Sequence, residues 1–373
     1  MKKAVSLLLS LFIILALLPN VNAKAIDSVA HAVMVADTLE LYSEQSCHTR
    51  LPIASTTKIV TAIVVLENTV DIEKEISVPS EACGIEGSSI YLYEGEKITI
   101  EALLYGLMLE SGNDAAVALA LAVSGSIDAF VELMNDYADS LKLKNSHFTN
   151  PHGLDDPMHY SSAYDLALIM KDAMENEDFA RIASTKSISL EMPDGTKRFF
   201  SNHNRLLRMS DDIIGGKTGF TKISKRCLVS CAQRDGVRII CVTLGCSDDF
   251  NTHLALYNEA FASYQMYDLP TSREYAASIV GAAEETVSFK YNGKTKLPLR
   301  SDKDLVNVRV KVKLPRFIYA PVNEGDIVGD VCILYDGVLI ESSPLIAESS
   351  VSFIENKNFL KKVIDYIRRI FGI

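Results

Sequence analysis

The chain has 373 residues, of which 48% are hydrophobic and 23% charged, and its formal net charge is −11 at pH 7. This length allows two domains, or one large domain with attachments, and the composition is that of a globular protein with a real core. The negative charge argues against a broad nucleic-acid-binding surface, since nothing would neutralise the phosphates. Any anionic partner must therefore meet a local basic patch.

The first 23 residues have the pattern of an export signal. Lys2 and Lys3 supply a positive start, residues 4–18 form an apolar core, and residues 21–23 resemble a small-residue cleavage site. An uncleaved membrane anchor is the alternative, although the apolar run is short for a bilayer span. The sequence therefore predicts a signal peptide over residues 1–23 and an exported mature protein.

A serine and a lysine lie three residues apart at the start of an apolar run. This spacing places Ser55 and Lys58 on one helical face, and residues 59–66 are apolar almost all round, which is typical of a helix buried inside a domain. A neutral Lys58 could take the proton of Ser55 and make the hydroxyl a nucleophile. The pattern Ser-x-x-Lys also occurs often by chance, so by itself it is weak evidence for catalysis.

Two further helical runs meet at a corner formed by Ser111, Gly112 and Asn113. We expect Gly112 to supply the permissive backbone that such a corner needs. The corner would then present the Ser111 hydroxyl and the Asn113 amide together. Both residue types are also common helix caps, so this motif alone does not separate capping from catalysis.

The segment Lys217-Thr218-Gly219-Phe220 precedes two apolar strand candidates joined by a hairpin turn. The glycines that flank Lys217 let a ligand approach the strand backbone closely. Lys217 and Thr218 offer a positive charge and a hydroxyl, which together suit a carboxylate. An edge strand with a solvated lysine is the alternative.

The seven cysteines match neither a zinc-binding spacing nor a dense disulfide framework. Cys227 and Cys231 share a parity within an apolar strand, which favours a role as small buried hydrophobic residues. A disulfide between neighbouring strands is the alternative that the sequence leaves open.

The pattern changes after residue 268. Short alternating runs separated by Asn-Gly and Asp-Gly turns predict a small all-β domain over residues 269–350. Residues 351–373 form a tail that, from Asn356 onward, has apolar residues along one helical face and five cations on the other. This tail is suited to lying in an anionic membrane surface. A helix packed on the body of the protein is the alternative.

The three motifs follow one another in the order and approximate spacing of a known catalytic set. The chain resembles the low-molecular-mass penicillin-binding proteins, specifically the D-alanyl-D-alanine carboxypeptidases, over roughly residues 30–264. The resemblance implies an α/β (α+β) fold, with a β-lactamase/transpeptidase-like domain over residues 24–268 whose antiparallel sheet is flanked by helices. It rests on the three motifs and on these further segments: Ser88-Ser89-Ile90-Tyr91-Leu92, Asp114-Ala115-Ala116, Asn150-Pro151-His152-Gly153-Leu154, His159-Tyr160-Ser161-Ser162-Ala163-Tyr164-Asp165 and Phe220-Thr221.

The resemblance also implies acyl transfer without a metal or organic cofactor. Ser55 would attack the bond between two terminal D-alanines of a peptidoglycan stem peptide, Lys58 would take its proton, and Ser111, held beside Lys58, would relay a proton to the leaving D-alanine. β-Lactam antibiotics would bind as covalent inhibitors. The protein would act at the extracytoplasmic face of the bacterial membrane, attached peripherally through its tail.

The same resemblance assigns five residues to substrate binding. Asn113 would contact the substrate amide, and Lys217 and Thr218 would hold the terminal carboxylate. Gly219 and Phe220 complete the substrate-binding set, and the N–H groups of Ser55 and Phe220 would form an oxyanion hole.

One departure from the family pattern affects the carboxylate contacts. Many members have an Arg-Phe pair where this chain has Asp249-Phe250. Arg226, just after the Lys217 motif, is the candidate substitute for the missing arginine.

Three other functions compete with this interpretation. A class A β-lactamase shares the first and third motifs, but the Ser-Gly-Asn form and the lack of a convincing Glu-x-x-Leu-Asn loop favour the carboxypeptidase. A non-catalytic wall-binding protein with a decayed site would lack a motif residue, and none is missing. A peptidase that cuts cross-links would use the same site, so the sequence does not separate it from a carboxypeptidase.

Overall fold

The computed structural model describes residues 26–354 and residue 368. The predicted signal peptide and nearly all of the predicted amphipathic helix lie outside the described residues.

The first part of the described chain mixes helices and strands. We number its elements in chain order, and short 3-10 helices are unnumbered. The elements are β1 (Ala30–Val35), β2 (Leu41–Gln45), the 3-10 helix Ala54–Thr57, α1 (Lys58–Glu67), β3 (Glu75–Ser77), the 3-10 helix Ser80–Ala82, β4 (Lys97–Thr99), α2 (Ile100–Leu109), α3 (Asn113–Ser124), α4 (Ile127–Ser140), α5 (Ala163–Ala173), α6 (Glu177–Ser184), β5 (Ser187–Glu191), β6 (Lys197–Ser201), α7 (Leu206–Met209), β7 (Ile213–Thr221), β8 (Lys225–Arg234), β9 (Val237–Leu244) and α8 (Asp249–Phe261).

A five-stranded antiparallel sheet, in the order β2-β1-β9-β8-β7, is the centre of this part. Side chains alternate between its faces, as strand geometry requires. Ala32 and Met34 of β1 pack into the core shared with the helices of one face, whereas Val33 and Val35 pack into the core shared with α8 on the other. The predicted mixed α/β fold, with an antiparallel sheet flanked by helices, is confirmed.

Helix α1 lies inside the larger core, and all of its residues except Glu67 are buried. It contacts α2, α3, α4 and α5, so it is surrounded by other helices. This explains why its sequence is apolar almost all round, and it confirms the prediction of a helix buried within the domain. A helix enclosed in this way gives the residues at its start little freedom to move.

The corner between α2 and α3 corrects one detail of the sequence analysis. The residue in the left-handed conformation is Ser111, with φ of +64°, and Gly112 has an ordinary φ of −56°. Gly112 is required for close packing instead, because a Cβ there would lie 2.8 Å from Asp114 Oδ1 and 3.2 Å from Ile90 Cγ2. The unfavourable backbone conformation thus falls on a residue of the predicted site.

The second part of the described chain consists mainly of strands. They are β10 (Gln265–Asp268), β11 (Glu274–Val280), β12 (Thr286–Tyr291), β13 (Lys296–Leu299), the 3-10 helix Asp302–Asn307, β14 (Val308–Lys313), β15 (Phe317–Tyr319), β16 (Ile327–Tyr335) and β17 (Val338–Ala347).

Six of these strands form a sheet in the order β14-β16-β17-β12-β11-β15, antiparallel except for the β11–β15 pair. The sheet encloses its own core, which includes Phe289, Tyr291 and Leu345. Arg300 forms an ion pair with Glu40 of the first part at 2.8 Å. The predicted division after residue 268 falls between β10 and β11, although β10 pairs with β13.

All seven cysteines lie in the described part of the chain, and each is a free thiol. Cys227 and Cys231 are completely buried in β8, in the core role that their parity favours. Among the helices within residues 26–354, none is by itself long and apolar enough to cross a membrane; α3 and α4 meet that criterion only when counted together across an 88° bend.

Candidate active site

Ser55 lies in a tight turn just before α1. The 3-10 helix Ala54–Thr57 leads directly into α1, so Lys58 is the first residue of the α-helix. Ala54 adopts a left-handed conformation with φ of +48°, which is costly for a residue with a Cβ. The Thr56 and Thr57 hydroxyls donate to the carbonyls of Ile53 and Ala54 at 2.7 and 2.8 Å, which braces the turn.

The amine of Lys58 is completely buried and lies 3.0 Å from Ser55 Oγ. Its other two contacts, both at 2.7 Å, are Asn113 Oδ1 and the carbonyl oxygen of His152. Burial, with a further contribution from the charge of Lys217, holds the pKa of Lys58 well below its ordinary value, and Asp114 opposes the shift. The lowered pKa of Lys58 favours a neutral amine.

The contacts of Lys58 also orient its lone pair. A neutral amine has two hydrogens and one lone pair, and the two carbonyl oxygens can only accept. The hydrogens are therefore directed to Asn113 and His152, which leaves the lone pair facing the hydroxyl of Ser55. This arrangement makes Lys58 a proton acceptor for Ser55.

The loop that supplies the His152 carbonyl is pressed against the Ser55 turn. Gly153 has φ of +86°, and a Cβ there would lie 2.0 Å from the carbonyl oxygen of Ala54. Only glycine permits this approach. The family resemblance included residues 150–154, but the sequence did not predict that this loop would bind Lys58. The contact is made by the backbone carbonyl of His152, and any residue type has such a carbonyl.

Ser111 and Lys217 form a second polar pair. Lys217 Nζ donates to Ser111 Oγ at 3.1 Å and to the Thr218 carbonyl at 3.0 Å. Burial lowers the pKa of Lys217 to about 7. The family resemblance predicted Ser111 beside Lys58; among the described contacts, its hydroxyl is bonded to Lys217 instead. The interaction between the two lysine charges nevertheless couples the pairs electrostatically.

Asn113 is directed inward. Its Oδ1 accepts from Lys58, and its Nδ2 donates to the carbonyl of Glu86. The next residue, Asp114, accepts hydrogen bonds from the N–H groups of Ile90 and Leu92 and so organises the neighbouring loop. In this structure Asn113 therefore positions Lys58, and the second hydrogen of its Nδ2 is the group left for a contact with a substrate amide.

An open cleft of about 620 Å³ lies above these pairs. Of the predicted site residues, Ser55, Ser111, Thr218, Gly219 and Phe220 line it. Lys58, Asn113 and Lys217 are buried and not among its lining residues. Its full lining is Ser55, Ser88, Ser111, Asn202, His203, Arg205, Thr218, Gly219, Phe220, Arg226, Asp249 and Phe250.

Strand β7 forms one wall of the cleft close to the nucleophile. A Cβ at Gly219 would lie 3.0 Å from the backbone nitrogen of Ser55 and 3.1 Å from the carbonyl oxygen of Ile53. Glycine thus allows the strand and the Ser55 turn to approach each other. This close approach supports the predicted oxyanion hole, which would be formed by the N–H groups of Ser55 and Phe220.

The far wall of the cleft carries the residue that departs from the family pattern. Asp249 is buried and accepts two hydrogen bonds from Arg226, at 2.7 and 3.1 Å. The guanidinium groups of Arg226 and Arg205 lie 5.3 and 5.6 Å from the ring centre of Phe250. Within residues 26–354, Arg205 has no carboxylate within 4.0 Å, so its charge is not offset by an ion pair.

Sequence reasoning missed Arg205 and His203 as lining residues. They lie in or beside the short helix α7, with no recognisable spacing to any motif, and the fold alone brings them to the cleft. His203 Nε2 lies 3.2 Å from Glu110 Oε2. The guanidinium of Arg205 adds to the cleft a positive charge of the kind that an acidic protein needs to bind an anion.

Comparison with known proteins agrees with this geometry. The family described as D-alanyl-D-alanine carboxypeptidase matches residues 19–248. The chain belongs to this family. The carboxypeptidase DacF of Bacillus subtilis is 29% identical over 98% of this chain and 98% of its own length. The carboxypeptidase DacC of Escherichia coli is 30% identical over 93% of this chain and 89% of its own length.

Solved structures extend the likeness to the fold. Penicillin-binding protein 5 from Haemophilus influenzae has 26% sequence identity and a TM-score of 0.66, and covers 89% of this chain and all of its own. The carboxypeptidase DacD from Francisella tularensis has 26% identity and a TM-score of 0.64, over 88% of this chain and 94% of its own. The predicted β-lactamase/transpeptidase-like fold and family are confirmed.

These findings identify the activity. The protein is a serine-type D-alanyl-D-alanine carboxypeptidase and a low-molecular-mass penicillin-binding protein that acts in peptidoglycan metabolism. Members of the family are cell-wall enzymes, which agrees with the predicted location outside the cytoplasm. The individual site residues stay predictions that the geometry described above supports.

Proposed function

We propose that Ser55 forms an acyl-enzyme with the penultimate D-alanine of a stem pentapeptide, and that water then releases the shortened peptide. The observation that carries the proposal is the environment of Lys58, whose lone pair is directed at Ser55 Oγ by two carbonyl acceptors. No carboxylate forms an ion pair with this lysine within residues 26–354, so no partner holds its proton.

In acylation, the proton of Ser55 moves to Lys58 as Oγ attacks the carbonyl carbon. Backbone N–H groups of Ser55 and Phe220 stabilise the oxyanion, a contribution typically worth about a hundred-fold to a thousand-fold in rate. The peptide bond breaks as the leaving amine takes the proton of the Ser111 hydroxyl. Lys58 then passes the proton that it took from Ser55 to Ser111, which returns both groups to their starting forms. The bond from Lys217 holds the Ser111 hydroxyl in place for this step.

The terminal carboxylate of the substrate binds in the part of the cleft lined by Thr218, Arg205 and Arg226. Thr218 lines the cleft and is the direct contact, whereas Lys217 is buried and bonded to Ser111 and contributes its charge from behind the lining. Arg226 attracts the substrate carboxylate only weakly, because its charge is largely neutralised by the ion pair with Asp249. Arg205 supplies a cation that no ion pair offsets in the described part of the chain.

Product analysis distinguishes the carboxypeptidase reaction from cleavage of cross-links. Incubation with a stem pentapeptide should release one D-alanine per peptide and leave a tetrapeptide. A cross-linked dimer offered at the same concentration should be cut at least about 10-fold more slowly. Mass spectrometry of both mixtures measures the ratio, and preferential cleavage of the dimer would assign the same site to an endopeptidase.

The Arg226–Asp249 pair gives a prediction for the carboxylate site. We expect Arg226→Ala to lower kcat/KM for D-alanine release about 10- to 100-fold, because it leaves a buried carboxylate next to the bound carboxylate of the substrate. Steady-state kinetics with the pentapeptide measure the loss. Lys222→Ala, which removes an exposed cation outside the cleft lining, is the control and should change little.

The double variant Arg226→Ala/Asp249→Asn separates two roles of Arg226. If Arg226 only neutralises Asp249, the double variant recovers most of the lost activity. If the guanidinium contacts the substrate, the double variant stays impaired. An unchanged kcat/KM in Arg226→Ala would show that Arg226 does not replace the missing arginine.

We also propose that the tail attaches the protein to the membrane surface. Its five cations and its apolar face suit an interface with anionic lipid. Deletion of residues 356–373 is expected to move the protein from the membrane pellet to the supernatant on sedimentation. Activity toward a free pentapeptide should be retained and serves as the control for folding. Continued sedimentation of the truncated protein with membranes would refute the anchor.

A further inference from the structure

An exposed apolar surface lies at one end of the β domain. Val280, Phe317, Tyr319, Phe353 and Ile354, which we call the tip patch, are each between 43% and 68% exposed. Large apolar side chains exposed as a contiguous group mark a contact surface more often than singly exposed ones do. The catalytic cleft lies in the other part of the chain, so this surface is separate from the active site.

The edge of the six-stranded sheet holds the tip patch together. Strand β15 pairs in parallel with β11, which places Tyr319 opposite Val280. The rings of Phe317 and Tyr319 lie 5.7 Å apart in an edge-to-face arrangement. Gly281, which follows β11, accepts a hydrogen bond from the N–H of Ile354 at 2.7 Å. The patch therefore joins the sheet edge to the last residues of the continuous described segment.

The tip patch lies at the end of the sheet away from the catalytic part. Near one end of β12, Lys294 forms an ion pair with Asp37 of the first part. The six residues of β12 span about 17 Å at the rise of an extended strand. At the other end of β12, Thr286 lies opposite Ser278, and Val280 is two residues farther along β11.

We propose that the tip patch enters the lipid surface beside the tail. The described chain reaches Ile354 inside the patch, and the amphipathic residues 356–373 follow almost at once. Two aromatic rings next to the start of a membrane-binding segment suit the interface, where aromatic side chains concentrate. The inference rests on the proposed tail attachment. It gives the β domain a second contact that holds the catalytic cleft away from the bilayer.

We expect the tip patch to contribute to membrane binding through apolar contacts, not through charge. Arg316 precedes Phe317 and is exposed, but Glu284 and Glu285 lie on the adjoining turn between β11 and β12. Attraction to anionic lipid must therefore come mainly from the cations of the tail. The patch adds burial of aromatic surface, which salt does not screen.

The chain contains no tryptophan, so an introduced indole is a specific probe. In full-length protein carrying Phe317→Trp, fluorescence emission should shift to the blue when vesicles of phosphatidylcholine and phosphatidylglycerol are added. Lipids brominated on their acyl chains should quench it. The matched control is Leu339→Trp, an exposed position near the β16–β17 turn, which should show neither effect.

A second pair of variants measures the binding itself. Phe317→Ser/Tyr319→Ser should weaken vesicle partitioning about 10-fold, whereas Val338→Ser/Leu339→Ser, exposed residues outside the patch, should leave it unchanged. Near-ultraviolet circular dichroism checks that each variant is folded. Both pairs are made in the full chain, so the tail is present throughout.

The outcomes separate failure of this inference from failure of the tail anchor. If the protein sediments with vesicles but the indole at position 317 keeps its aqueous emission, the tail binds and the tip patch does not. If that indole is already blue-shifted and shielded from iodide before vesicles are added, the tail covers the patch and the inference is wrong. If the full-length protein does not bind vesicles at all, both proposals are overturned.

Discussion

Ser55→Ala is expected to abolish covalent labelling by penicillin and to lower D-alanine release by about 10,000-fold or more. Ser55 Oγ is the hydroxyl that faces the lone pair of Lys58, and an alanine offers no atom that can form the acyl bond. The substitution removes one half-buried oxygen at the cleft lining, so the fold should be preserved. Intact mass after prolonged exposure to penicillin, together with a D-alanine assay, measures both effects.

Ser88→Ala is the matched control for this experiment. Ser88 also presents a hydroxyl to the cleft, but it has no hydrogen bond to either buried lysine in the described structure. The control variant should acylate at nearly the rate of the unmodified protein. Formation of a stable penicillin adduct on Ser55→Ala would place the nucleophile elsewhere and refute the assignment.

Local patterns predicted the nucleophile and its helix because both depend on neighbours in the chain. The three-residue spacing of Ser55 and Lys58 sets their contact directly, since one helical turn separates them. The all-round apolar sequence of α1 reports its burial. The β8–β9 hairpin was also predictable, because Asp235 and Gly236 both adopt positive φ at its turn.

Contacts between distant segments could not be derived in this way. Gly112 suggested a left-handed corner, but that conformation lies at Ser111, and Gly112 instead permits close packing against Asp114 and Ile90. The preference of Ser111 for Lys217 over Lys58 depends on how β7 meets the α2–α3 corner. The contact between β7 and this corner joins segments about 100 residues apart, so no local sequence spacing predicts it.

The Arg226–Asp249 pair shows what the family pattern alone leaves undecided. The sequence revealed that an arginine was missing and that another was close by. The structure shows that Asp249, the residue replacing the arginine, itself binds Arg226 through two hydrogen bonds. Aspartate at position 249 therefore brings a negative charge into the cleft, and Arg226 is occupied in neutralising it. We therefore expect Arg205 to supply positive charge for the substrate carboxylate, which none of the three motifs indicates.

Lys58→Met is expected to lower the rate of acylation about 1,000-fold. Methionine is close to lysine in length and is apolar, so it suits a completely buried position while removing the proton acceptor. It leaves the oxygens of Asn113 and His152 without their donor, which costs about 1–3 kcal/mol of folding free energy for each buried group. Stopped-flow acylation by penicillin measures the rate, and thermal unfolding measures the loss of stability.

The pH profile of acylation shows whether Lys58→Met is slow because the proton acceptor is missing or because the active site is less well ordered. Acylation requires neutral Lys58, so the rate should rise as pH increases through its depressed pKa, and this acid limb should be absent in Lys58→Met. Binding of the substrate carboxylate requires charged Lys217, whose pKa is about 7, so kcat/KM should fall above about pH 7 in both proteins. The alkaline limb should move to higher pH in kcat, because the bound carboxylate stabilises the charged amine. Persistence of the acid limb in Lys58→Met would assign the base to another group.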